Sequence, residues 1–94
     1  MNKQQQKFLR GLSHHIHPVV IVAGKGLSET VMQEIENALN KHELVKVKLR
    51  ADRAQRNDFT QHILSTTGAD LVHAIGQNVT LFRRNANNPV IELP

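Results

Sequence analysis

The apolar positions of this chain recur at a helical period in some stretches and alternate, or run on, in others. Phe8, Leu9, Leu12 and, one turn later, Ile16 keep helical spacing, which predicts an amphipathic helix from Lys3 to His14. Lys3, Lys7, Arg10 and His14 are separated by four, three and four residues, so they share its polar face. Gly11 weakens this helix by about 1 kcal/mol relative to alanine, and Pro18 forbids its continuation. "PVVIVA" then reads as a strand that is apolar at every position, with both faces expected to be covered and the first helix available as one cover.

Ser28 is a suitable N-cap for a second helix, with Glu29 in the first turn. Val31, Ile35, Ala38, Leu39 and His42 mark its buried side. In "LVKVKLR" the pattern changes to strict alternation: Val45, Val47 and Leu49 face one way, and Lys46, Lys48 and Arg50 the other. Such a strand belongs to a sheet covered on one side only, at least locally. Asp52 followed by Gln55 is a capping-box pattern, opening a third helix that runs to Gly68, with Phe59, Ile63 and Thr67 toward the core. "ADLVHAIG" and "NVTLFRR" are two strands joined through Gly76, Gln77 and Asn78. "NANNP" reads as a loop, and "VIEL" as a short terminal edge strand. The order is α-β-α-β-α-β-β, an α+β architecture. Right-handed crossovers should place the second and third helices on one face of a mixed sheet.

No internal repeat or linker interrupts residues 1–94, which suit a single domain. The hydrophobic share is 39%, with three Phe and no Tyr or Trp, so Val, Ile and Leu must build the core. The absence of cysteine excludes disulfides, thiolate metal sites and thiol nucleophiles. The polar start "MNKQQQK" does not read as a signal peptide, and Pro18 to Ala23 is too short to span a membrane. A soluble cytoplasmic protein is the expectation.

Charge adds more than these totals do. The net charge is +4, and it is segregated along the chain. Residues 1–28 carry Lys3, Lys7, Arg10 and Lys25 with no acid, residues 29–43 carry four glutamates against Lys41, and residues 44–56 carry five cations against Asp52. This distribution predicts a basic face for a polyanion, drawing on Lys3, Lys7, Arg10, Lys46, Lys48, Arg50, Arg53 and Arg56, and an acidic back.

"VAGKGLS" joins the apolar strand to the Ser28-capped helix, an arrangement that suits a phosphate. It is no dinucleotide fingerprint: Gly24 and Gly26 fit two positions, but Glu29 stands at the third, and the next strand ends in Leu49 and Arg50 with no acid. No Gly-Lys-Ser/Thr is present either, so a nucleotide cofactor is not expected. A turn that uses glycine for geometry alone is the alternative. Gly24, Lys25, Gly26, Leu27 and Ser28 are the candidate phosphate-binding residues.

His14, His15 and His17 invite a metal reading. Adjacent histidines point apart, however, and no carboxylate lies near them in sequence, so surface exposure is favoured and no metal is expected. His73, within a strand, reads as structural, and His42 and His62 are ambiguous. Glu29, Glu36 and Glu43 are spaced by sevens, as a solvated face would be. Asp52 and Asp58 suit the start of the third helix. No acid pair and no nucleophile elbow is present, so no enzyme is expected.

Three stretches together, "LRGLSHHIHPVVIVAGKGLSETVMQEIENALNKHELVKVKL", "TGADLVHAIGQNVTLFRR" and "IELP", resemble the CRM domain, the RNA-binding module of chloroplast splicing factors. The bacterial stand-alone YhbY-like members are the nearest in kind. The resemblance implies the fold of the C-terminal domain of translation initiation factor three, with a four-stranded sheet in the order 1-2-4-3. It also implies a Gly-x-x-Gly loop after the first strand that approaches RNA backbone. Here that loop aligns as Ala23, Gly24, Lys25 and Gly26, with alanine in place of the first glycine. Bacterial members are linked with assembly of the large ribosomal subunit, so structured ribosomal RNA is the implied partner. The competing expectation is a protein-interaction factor that docks a basic ribosomal protein on its acidic second helix. Scarce aromatics favour recognition of shape and backbone over base stacking.

Overall fold

The computed structural model describes residues 1–94. Its elements are α1 (Lys3–Ser13), β1 (Pro18–Val22), α2 (Glu29–His42), β2 (Leu44–Leu49), α3 (Arg53–Thr67), β3 (Asp70–Ile75) and β4 (Asn78–Phe82). They form an α+β fold with one four-stranded sheet in the order β1-β2-β4-β3. β1 and β2 are parallel, β2 and β4 antiparallel, and β3 and β4 antiparallel. No helix is long and apolar enough to cross a membrane.

Helix boundaries follow local capping chemistry. Asn2 and Gln5 form a complete capping box at α1. Ser28 Oγ accepts the Val31 N–H at α2, and Asp52 Oδ1 accepts the Gln55 N–H at α3, 2.8 Å away. α3 ends at Gly68, whose N–H bonds the Leu64 carbonyl.

The alternation in β2 divides the molecule. Val45, Val47 and Leu49 are buried with Ile35 and Leu39 of α2, Ile63 of α3, Val20 and Val22 of β1, and Val79 and Leu81 of β4. On the other face Leu44, Phe82 and Val72 bury Leu9 of α1, with Leu12, Ile16, Ile91 and Leu93 around them. Lys46 and Lys48 lie on this second face, away from α2 and α3. Truncating fully buried Val47 to alanine is expected to cost roughly 1–3 kcal/mol, read as a lower urea midpoint at unchanged m-value.

Four expectations need correction. β1 is not covered on both faces: it is an edge strand, with Val19 54% and Ile21 51% exposed. Its continuous apolar run suggested burial, but α1 packs on β2 and β3 instead. "VIEL" forms no strand, because the Val90 and Ile91 amides donate to the Glu43 carboxylate instead of to a neighbouring strand. His42 is exposed, not buried.

Glu43 is the fourth correction. Spaced as though on a solvated helix face, it is instead fully buried. Its carboxylate accepts N–H bonds from Asn85, Val90 and Ile91, each at 2.7 Å. Burial pushes this carboxyl up, but the three amides outweigh it and hold the group below the ordinary carboxylate range. The residue sits at φ 64, ψ −50, close to the strained γ-turn geometry. Glu36, from the same spacing, is paired with Arg83, which chiefly through that hydrogen bond lowers its pKa.

Candidate nucleic-acid interface

Parallel pairing of β1 with β2 brings two chain segments to one end of the sheet. Val22 is in register with Leu49, and the Arg50 N–H donates to the Val22 carbonyl at 2.8 Å. Ala23 and Arg50 therefore leave the sheet side by side. The Ala23–Ser28 loop and the Arg50–Arg56 segment carry Lys25, Arg50, Arg53 and Arg56, with Asp52 committed to capping α3. The β3–β4 turn closes the same end, since the Gln77 carbonyl accepts the Leu49 N–H.

Within the loop, the Gly26 N–H donates to the Ala23 carbonyl at 3.0 Å, and the Ser28 N–H to the Gly26 carbonyl at 3.0 Å. Gly24 has φ +47 and Gly26 φ +71, values that suit glycine. Ala23, the first residue of the turn, has no positive φ. The alanine in place of the family's first glycine is thus accommodated, because both left-handed positions are glycine. The two glycines differ in surroundings. A Cβ on Gly24 would meet open space, whereas one on Gly26 would sit 3.3 Å from the Phe59 ring. Leu27 packs against the core, so what that position offers outward is its amide. The N–H groups of Gly24, Lys25 and Leu27 make no bond within the chain, and the positive end of the α2 dipole lies beside them.

The remaining basic residues do not all join this end. Lys46 donates to the Ser13 carbonyl at 2.6 Å, where a cation suits the C-terminus of α1. Lys48 is half-buried on the partly open sheet face, flanked in register by Ile21 of β1 and Asn78 of β4. Lys3, Lys7 and Arg10 are exposed on α1, on the side of the sheet away from α2 and α3. Gln6 in the first turn bonds the Leu71 and Val72 carbonyls, at the sheet end remote from the loop. Arg56 gives one guanidinium N–H to the Ala51 carbonyl at 2.8 Å and keeps the rest. The basic residues expected to share one footprint therefore divide into Lys25 and Arg50 at the loop, Arg53 and Arg56 on the side of α3 that faces the β3–β4 hairpin, and a separate stripe on α1. His14 and His73 meet edge to face with ring centroids 5.9 Å apart, a contact that no sequence spacing announces.

Comparison with known proteins places this geometry in a family. The CRS1 / YhbY (CRM) domain model matches residues 1–83. A Haemophilus influenzae protein named "RNA-binding protein" is 44% identical over 95 residues, covering 100% of this chain and 95% of its own. The Pseudomonas aeruginosa "Probable RNA-binding protein PA4753" is 41% identical over 86 residues, covering 90% and 83%. The solution structure of the Staphylococcus aureus protein SAV1595 superposes with a TM-score of 0.83 at 27% identity, covering 100% of this chain and 99% of that one. With a family model that matches most of its length and a relative 44% identical along the whole chain, the chain belongs to the CRS1 / YhbY (CRM) domain family.

Proposed function

We propose that residues 1–94 form one domain that binds structured RNA through the cationic end of the sheet, and that its partner is ribosomal RNA of the large subunit or its precursor, met in the cytoplasm during subunit assembly. The observation that carries the reading is the meeting of the glycine loop with the end of β2, which sets Lys25 and Arg50 at one end of the sheet beside three unbonded amides, with Arg53 and Arg56 following on the first turns of α3. Backbone amides and flexible cations suit phosphates. The names of the relatives point the same way. The role is a binding one and calls for no metal or cofactor.

Salt dependence tests it directly. Lys25→Ala removes about one phosphate contact and is expected to lower the log–log salt slope by roughly 0.7–0.9. The acidic-helix alternative needs a control free of structural damage. Glu36 is unsuitable because Arg83 depends on it, whereas Glu29 and Glu34 are exposed. Reversing Glu29 and Glu34 should leave RNA binding unweakened, while reversing Lys25 and Arg50 should weaken it across unrelated sequences. If the glutamate pair is the damaging one, the domain docks a protein instead. Crosslinking in cells followed by sequencing of the attached RNA tests the ribosomal assignment: an absence of large-subunit sequences would overturn it.

A further inference from the structure

Between α3 and the β3–β4 hairpin lies a cleft of about 430 Å³. One wall is a single side of α3, presenting Arg53, Arg56, Asn57 and Gln61. The floor includes Leu71 and Ala74. These two are three residues apart in a strand and would ordinarily face opposite ways. A register shift between Leu71 and His73 brings both to the α3 side, opposite Leu81 and Val79 of the core face. Such bulges recur beside functional sites because they re-aim side chains.

The chemistry of the cleft is specific. No acid lines it, and two arginines do. The side-chain amides of Asn57 and Gln61 are exposed and unbonded within the chain, and each offers donors and an acceptor. An apolar floor, paired amides and guanidinium groups together match a nucleobase, which needs a surface for its ring and partners for its edge. The volume falls within the roughly 300–1,000 Å³ typical of small-ligand pockets. Arg53 and Arg56 also belong to the cationic end, so a strand whose phosphates rest there would pass directly over the cleft.

We propose that this cleft takes one unpaired nucleotide of the bound RNA and reads its base edge with Asn57 and Gln61. The proposal rests on the RNA-binding reading above and adds base selectivity to a surface otherwise suited to backbone. An aromatic-poor composition disfavours base stacking, but hydrogen-bonding amides over an aliphatic floor require no aromatic ring.

The test compares binding of short oligo(A), oligo(C) and oligo(U), and of a mixed-sequence RNA hairpin, by the wild-type chain and two variants. One variant is Asn57→Ala with Gln61→Ala, both at exposed helical sites where alanine is favourable. The other is Ala74→Leu, which fills the cleft. Thermal unfolding confirms that each is folded. The wild type should separate the oligonucleotides by about 10- to 100-fold, as one good base-edge contact does. Both variants should bind all three alike, with the salt slope unchanged, while Lys25→Ala weakens all three equally. If the hairpin binds but the wild type does not discriminate, or the Asn57/Gln61 variant keeps the wild-type ratios, the cleft proposal is wrong and the RNA reading stands. If no RNA binds at all, both fall.

Discussion

Glu43→Ala is expected to destabilise the domain by roughly 2–4 kcal/mol, the scale for losing charge-assisted hydrogen bonds and stranding their donors. Three backbone amides from the C-terminal segment converge on this buried carboxylate. The same residue's carbonyl accepts the Arg83 N–H at 3.0 Å. Removing the side chain therefore unties residues 85–91 from the helix–strand corner and loosens Ile91 and Leu93 over the Leu9 cluster. For a domain of this size the melting temperature should drop by about 10–25 °C. Glu43→Gly also lacks the carboxylate but relieves the positive φ, so it should retain about 1 kcal/mol more than the alanine variant. A melting temperature unchanged in both variants would show that the carboxylate does not hold the tail.

The pH dependence has a definite sign. The Glu43 carboxyl is lowered in the folded chain, against the opposing effect of burial, and Glu36 is lowered mainly by its hydrogen bond from Arg83. The folded state binds these protons less readily than the unfolded state. Their contribution is fully present above the unfolded carboxylate value of about 4.3 and is lost as pH falls through the folded values. Denaturant midpoints should therefore drop below about pH 5 in the wild type, and Glu43→Gln should flatten that acid limb. An identical acid limb in the two proteins would contradict this account.

The second large effect concerns binding. Lys25, Arg50 and Arg53 are exposed, and their side chains make no hydrogen bond or ion pair within the chain. Replacing all three by alanine should leave the fold intact. Three lost phosphate contacts should lower the log–log salt slope by roughly 2–3 and weaken binding to a structured RNA by about 100- to 500-fold near 0.1 M salt. The loss should shrink toward high salt and be similar for unrelated sequences, since phosphates carry no base identity. Equal losses at low and high salt would mean that these cations act on shape, not charge. A matching loss from the α1 stripe (Lys3, Lys7 and Arg10) would instead spread the interface around the molecule.

Local chemistry was legible in the chain itself. Hydroxyl and carboxylate caps at Ser28 and Asp52, the alternation of β2, the glycine turn and the hairpin all act within a few residues, so their signals lie in short windows. The alternation alone assigned Val45, Val47 and Leu49 to one face and the cations to the other. Tertiary structure decided what such windows do not carry. The run in β1 looked buried because every residue is apolar, yet α1 covers other strands and leaves Val19 and Ile21 open. Glu43 looked solvated because its partners lie more than forty residues later in the chain. Parallel pairing of β1 with β2 drew Lys25 to Arg50, while packing of α1 across the opposite face separated it from Lys3 and Lys7 and gave Lys46 to the Ser13 carbonyl. The cleft beside α3 depends on a register shift in β3. Each of these outcomes follows from which surfaces meet, and the free energy of that meeting belongs to the assembled core, not to any one segment.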